Sequence, residues 1–192
     1  DTKTCPDTGM AGASRSLYMD GNATIIAANK LLAAMRKEDG TLRTYDEMKA
    51  EGIETKYLGR YETNTTPGLC RLDPNTGIGD PTPAFTYCLN LAEVEVDTKT
   101  GKTTVLKFTC VDFVGRIGNI DAVNGQAYSG IMHGIGFALK EDYADVKKHA
   151  NMFGAGTSYI KDVPDDIDLI HIDGAISDGP FGSSGASEAF QA

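Results

Sequence analysis

The chain has 192 residues, with 18 Lys and Arg against 27 Asp and Glu and a net charge of −9. Its scattered cations on an acidic background, pI near 4.7, argue against nucleic acid or an anionic membrane as partner, since a phosphate-binding surface needs clustered Lys and Arg. A composition of 41% hydrophobic and 23% charged residues is that of a soluble globular protein, long enough for one self-sufficient core or two small lobes.

The cysteines Cys5, Cys70, Cys88 and Cys110 never form a CxxC pair, and His133, His149 and His171 lie far apart. A zinc site or an iron–sulfur cluster built from this chain alone is therefore not expected. No apolar run approaches the ~18 residues of a membrane span and no signal peptide stands out, so the cytoplasm is the default location. The chain opens on Asp1 and stops just after a Gly-rich loop, which reads as a piece of a longer protein.

In chain order, the small-residue segment 9–21 leads into a helix over about 23–37, with Asn22 as its N-cap and Gly40 as its stop. Ile25, Ala28, Leu32 and Met35 recur at helical spacing. Thr44-Tyr45-Asp46-Glu47 is a capping box opening a second short helix that Gly52 ends. Residues 56–83 read as loop, punctuated by Pro67, Pro74, Pro81 and Pro83, with an edge strand over Lys56–Glu62. The period-2 pattern of 86–96 and 102–111 around Asp97-Thr98-Lys99-Thr100-Gly101 predicts a hairpin with one buried face, in which Cys88 and Cys110 are small buried hydrophobes.

Residues 121–143 then read as a helix capped by Asp121, with Val123, Ala127, Ile131, Ile135, Ala138 and Leu139 on one side. Its glycines at 125, 130, 134 and 136 cost about 1 kcal/mol each and predict a close neighbour. A strand over 167–172 and the loop 179–187 complete an α+β chain without internal repeats.

Three segments carry candidate chemistry. In Gly179–Ser187, glycines and small hydroxyl residues suit a nest of backbone amides, and Glu188 directly follows; held dry there, its carboxyl would act as a general base. The plain alternative is a solvated surface loop. In the second, Gly115-Arg116-Ile117-Gly118-Asn119 joins a strand end to a helix start whose dipole favours an anion, with Gln126 one turn in; the alternative is an ordinary connection. In Gly12-Ala13-Ser14-Arg15, an Arg among small residues suits a phosphate, or is simply solvated. His133 reads as a packing or surface residue, and the sequons at Asn22 and Asn64 carry no weight without a secretory signal.

Taken together, GMAGASRS, VGRIGNIDAVNGQAYSGIMHGIGFAL and KKHANMFGAGTSYIKDVPDDIDLIHI…DGPFGSSGASEAF resemble the C-terminal half of the molybdenum domain of the xanthine oxidase family of hydroxylases. The likeness is strongest to its single-chain bacterial aldehyde oxidoreductases. It runs over essentially all of 1–192, including the connecting segments, which makes it more specific than any single loop.

It implies an α+β fragment of a molybdopterin-binding domain, with a hairpin-containing sheet packed by helices. The cofactor implied is molybdopterin cytosine dinucleotide, with molybdenum held by the pterin dithiolene and no metal ligand from the protein. By position, Gly12, Ala13, Ser14 and Arg15 would meet the dinucleotide. Gly118, Asn119, Ile120, Asp121, Ala122, Val123 and Gln126 would hold the pterin or its phosphates. Ser184, Gly185, Ala186 and Ser187 would pack beside the metal, and Glu188 would be the catalytic base for attack of a water-derived oxygen on an aldehyde.

The family's loop usually reads Gly-Val-Gly-Glu where this chain has Gly185-Ala186-Ser187-Glu188, and Phe113 stands where an acidic residue is common. Two [2Fe–2S] clusters and the first half of the molybdenum domain are implied outside this chain, as is a homodimer. The alternative kept beside this reading is a non-catalytic binding or assembly module with the same fold.

Overall fold

The computed structural model describes residues 3–8, 12–62, 73, 75–79, 84–175 and 177–189. Most of the proline-rich stretch around Pro67, the Asn64 sequon and Cys70 lie outside them. The chain divides into two compact units, Asp1–Pro83 and Ala84–Ala192.

In the first unit, helix α1 covers Ser16–Met35 and α2 covers Tyr45–Ala50. α1 begins at Ser16, with Arg15 in the cap position seven residues before the expected cap, so Asn22 lies inside the helix with its side-chain amide nitrogen buried and unpartnered. Tertiary packing overrides the capping propensity here. Tyr18 is buried and meets Tyr61 edge-on at 5.9 Å between ring centres, so the first turn is held by an aromatic contact instead of a cap.

The segment expected as an edge strand over 56–62 forms none. Its backbone lies against α1, close enough that a Cβ on Gly59 would sit 1.8 Å from the Ala23 carbonyl oxygen, and Lys30 donates to the Leu58 carbonyl at 2.9 Å. Contact with a helix offers no ladder of donors and acceptors for a strand to pair with. The capping box at α2 is present, with Thr44 and Glu47 bonding each other's backbone amides. Gly52 follows at φ +69°, as the expected terminator. Gly40, at φ +84°, closes a turn beyond α1 whose amide bonds Lys37, five residues after the helix has ended.

In the second unit, β1 (Tyr87–Val96) and β2 (Thr103–Phe113) form the expected hairpin. Gly101 turns it at φ +75°, and a bulge lies at Glu93/Val94. Helix α3 (Ile120–Leu139) crosses back, followed by the short α4 (Met152–Ala155) and β3 (Asp166–His171), which pairs parallel to β2. The sheet order is β1-β2-β3; a parallel neighbour requires such a crossover, which α3 supplies.

Alternate residues of the sheet meet α3. Phe108, Cys110 and Val114 pack with Ala127, Ile131 and Ile135, joined by Cys88, Val123, Ile167, Leu169 and Ala186. Ala127 and Ile131 are fully buried, and full burial of a side chain the size of Ile131 contributes about 1.5–3 kcal/mol. Ala138 and Leu139 stay exposed. The close-neighbour expectation for the helix glycines holds at Gly136, where a Cβ would meet Glu141 Oε1 at 2.5 Å. Gly125 faces open space instead.

Candidate functional site

The two candidate loops of the second unit meet along one seam. The Ser184 amide donates to the Val114 carbonyl at 3.1 Å, and the Arg116 amide to the Phe181 carbonyl at 2.8 Å. Gly115 is required there. At φ +101° it occupies left-handed space, and a Cβ on it would lie 2.5 Å from the Gly182 oxygen. Phe181 is itself left-handed, at φ +60°, a backbone cost of roughly 1–2 kcal/mol for a side chain of this kind. Ser177 Oγ donates to the Ser183 carbonyl and accepts from the Gly179 amide, bracing the loop from within.

The seam runs antiparallel, so Gly118 lies beside the Phe181 ring while Ser184 and Gly185 lie beside Thr86. The candidate residues 118–126 and 184–188 thus flank opposite ends of one loop–loop contact. At the first end, Asn119 and not Asp121 caps α3. Its side-chain oxygen accepts from the Ala122 amide at 3.0 Å, and its carbonyl takes the Val123 amide. An extended backbone at Asn119 (φ −147°) turns its short side chain onto the helix end, whereas Asp121 sits inside the first turn, adding a favourable charge to the dipole. Ile120 and Asp121, whose amides precede the first helical bond, are exposed residues, as are Gly118, Gly125 and Gln126; Val123 is half-buried against the core.

At the other end, Ser184 spends its amide on the seam, and its hydroxyl meets Thr86 Oγ1 at 3.0 Å. Ala186 packs on the core, and the Ala189 amide closes a turn onto its carbonyl. Gly185 and Ser187 make no backbone-amide hydrogen bond among the described residues. Glu188 stands exposed on that turn, its Oε2 on the Gly185 side. The expected desolvation of this carboxyl is not supplied by the described residues of this chain, because a four-residue surface turn has nothing of its own to cover it.

Gly12, Ala13, Ser14 and Arg15 belong to the first unit. Ala13 and Ser14, both at φ +54°, are the centre of a tight turn closed by the Arg15 amide on the Gly12 carbonyl; the turn opens directly into α1.

A three-membered polar network lies behind the seam and was not anticipated from the sequence. The carboxylate of Asp112, a residue 1% exposed, faces His171 Nδ1 at 2.7 and 2.9 Å. His171 Nε2 meets Asn124 Oδ1 at 2.7 Å. A carboxylate accepts, so Nδ1 directs its proton at Asp112. The available signal was the polar Asp112 at a position where the strand's alternation called for a buried residue.

Cys88 and Cys110 lie with sulfurs 3.5 Å apart, both as thiols, and burial pushes both above the ordinary thiol range. No group of three or more His, Cys, Asp or Glu among the described residues is placed to hold a metal, and no described helix is long and apolar enough to cross a membrane. His133 is exposed. A groove of about 610 Å3 lies at the far end of α3, lined by Lys102, Ile135, Leu139 and Lys140. There Lys140 is already paired with Asp162 at 2.5 Å.

A large anionic group fits the exposed start of α3. The Ile120 and Asp121 amides make no backbone hydrogen bond among the described residues, the helix dipole favours an anion there, and Gly118 and Gly125 leave room for close approach.

The family described as the molybdopterin cofactor-binding domain matches residues 1–164. The aldehyde oxidoreductase of Megalodesulfovibrio gigas is 43% identical over 98% of the chain, which covers 20% of that enzyme. The crystal structure of the aldehyde oxidoreductase from Desulfovibrio desulfuricans superposes with a TM-score of 0.87 at 43% identity, over 99% of this chain and 20% of that one. A xanthine dehydrogenase of Dictyostelium discoideum is 26% identical over 83% of the chain, 12% of its own length. The chain thus spans about a fifth of the length of the bacterial relatives it matches.

Proposed function

The chain belongs to the molybdopterin cofactor-binding domain family, and on that footing we propose that it is the part of a molybdenum-dependent aldehyde oxidoreductase that carries the catalytic base. The reaction is oxidation of an aldehyde to a carboxylic acid with water as the oxygen source. The observation that carries the reading is the 43% identity to such an enzyme across 98% of the chain, with both candidate loops inside it.

When bound, the cofactor supplies a Lewis-acidic centre able to take up two electrons. This chain's residues do the rest. The Ile120 and Asp121 amides, with Gly118 and Gln126 beside them, hold its anionic portion at the α3 start. The dinucleotide is of the cytosine type, met by Gly12, Ala13, Ser14 and Arg15. Ser184, Gly185, Ala186 and Ser187 form the floor beside the reacting centre. Glu188 takes the proton from the attacking oxygen nucleophile. The remainder of the enzyme covers this turn and excludes water from it. The same reading gives two [2Fe–2S] clusters elsewhere in the polypeptide, a homodimer and a cytoplasmic enzyme.

The test is the full-length protein assayed for molybdenum content and aldehyde-dependent dye reduction. Glu188→Gln keeps the molybdenum and lowers kcat by about 10²–10⁴-fold, the usual contribution of a positioned base. Full activity in that variant removes the base from the proposal; full-length protein without molybdenum leaves the non-catalytic module as the function.

A further inference from the structure

Three elements end at one place in the second unit: β2 at Phe113, β3 at His171, and α3 beginning at Ile120. Both candidate loops spring from it. The segment 114–119 starts two residues after Asp112, and the segment leading to 179–188 starts directly after His171. Asp112 and His171 are register partners on parallel strands, with side chains on the α3 face, and the Ile172 amide adds a bond to the Asp112 carbonyl.

Asn124, Ala127, Ile131 and Ile135 follow one another at steps of three, four and four, so they share one face of α3. The lower three rungs are apolar and buried. The top rung is the hydrogen bond to His171. Apolar burial is nearly indifferent to a small slide or roll of the helix, because it is non-directional. A hydrogen bond is not, since it weakens steeply with misalignment. The rung that sets where the first turn of α3 sits is therefore the polar one.

We infer that Asp112, His171 and Asn124 form a positioning relay that fixes the start of α3, and with it the amides of residues 120–122, relative to the two strand ends that carry the candidate loops. None of the three reaches the exposed surface where a ligand binds; they act through the helix. Asp112 orients the ring, the ring holds Asn124, and Asn124 sets the helix register. This is the arrangement by which an outer partner fixes the geometry of groups that touch a ligand. The inference rests on the proposed cofactor site for its functional consequence and on the fold alone for its mechanical one.

Asn124 is the place to test it, because its replacement leaves the Asp112–His171 pair intact. Two variants of the full-length protein separate the outcomes. Asn124→Leu preserves approximate volume and removes the amide; Asn124→Gln restores an amide, which serves the ring nitrogen as donor or acceptor. Amide hydrogen exchange at Ala122 and Val123, which needs no cofactor, rises about tenfold in the Leu variant, the upper range of one hydrogen bond. The Gln variant returns towards native protection, and the global unfolding midpoint stays within the native range in both. Molybdenum retained after prolonged dialysis falls about tenfold in the Leu variant and recovers in the Gln variant.

Native exchange rates in Asn124→Leu overturn the relay. So does a loss of protection that tracks global unfolding, or one that Asn124→Gln does not reduce. Protein that lacks molybdenum even when native refutes the proposed function while leaving the exchange arm to judge the relay by itself.

Discussion

Removing the imidazole of His171 strands the Asp112 carboxylate, whose side chain is 0% exposed while that of His171 is 9% exposed. In His171→Leu the carboxylate keeps its burial and loses the donor 2.7 Å away, and breaking a buried pair in this way costs about 3–5 kcal/mol. Replacing both members, Asp112→Leu with His171→Leu, removes the polar requirement itself and costs much less, since an apolar pair of similar volume is often neutral. The double variant is then more stable than the single one, and the coupling falls in the range of about 0.5–3 kcal/mol found for contacting residues. The assay is urea unfolding followed by far-ultraviolet circular dichroism, comparing midpoints at constant slope. A His171→Leu midpoint equal to native, or a double variant that simply sums two losses, would show that the pair is not the buried interaction described here.

Three further outcomes follow from local geometry. Gly115→Ala places a Cβ 2.5 Å from the Gly182 oxygen at φ +101°, so the seam opens and stability falls by at least ~1–3 kcal/mol; a native thermal midpoint contradicts the close approach. Glu47 is held well down, to about 2, first by the Lys37 ammonium and then by the Thr44 amide. A depressed carboxyl stabilises the fold above its unfolded pKa and loses that contribution as pH falls towards about 2, so α2 frays between roughly pH 4.5 and 2. A Glu47 carboxyl resonance titrating at an ordinary glutamate midpoint refutes it. Burial raises the Cys88 and Cys110 thiols, while Cys5 is exposed; an alkylating reagent at mildly alkaline pH therefore labels Cys5 well before either, read by mass spectrometry.

Local signals in the sequence settled the parts of this chain that depend on near neighbours. The capping box at Thr44 and Glu47, the Gly101 hairpin and the apolar stripe of α3 through Ala127, Ile131 and Ile135 all rest on interactions a few residues apart, and all three are present. The family was legible for a different reason: three segments with unusual small-residue patterns stand in a fixed order across essentially the whole chain, and matching them by chance is improbable in a way that matching one is not.

Tertiary packing decided what those signals left open. Asn22 has every local qualification for a cap, yet α1 extends past it because Tyr18 has Tyr61 to pack on, forty-three residues away. Residues 56–62 have the composition of a strand and no strand to pair with, since their backbone lies on α1. The capping role at α3 falls to Asn119, whose extended backbone turns its side chain onto the Ala122 amide, and not to Asp121. Asp112, His171 and Asn124 are separated by up to fifty-nine residues, and only the parallel register of β2 and β3 brings the first two opposite each other. A sequence exposes interactions whose partners are near in the chain; a buried polar contact between strands becomes visible only when the fold has chosen the register.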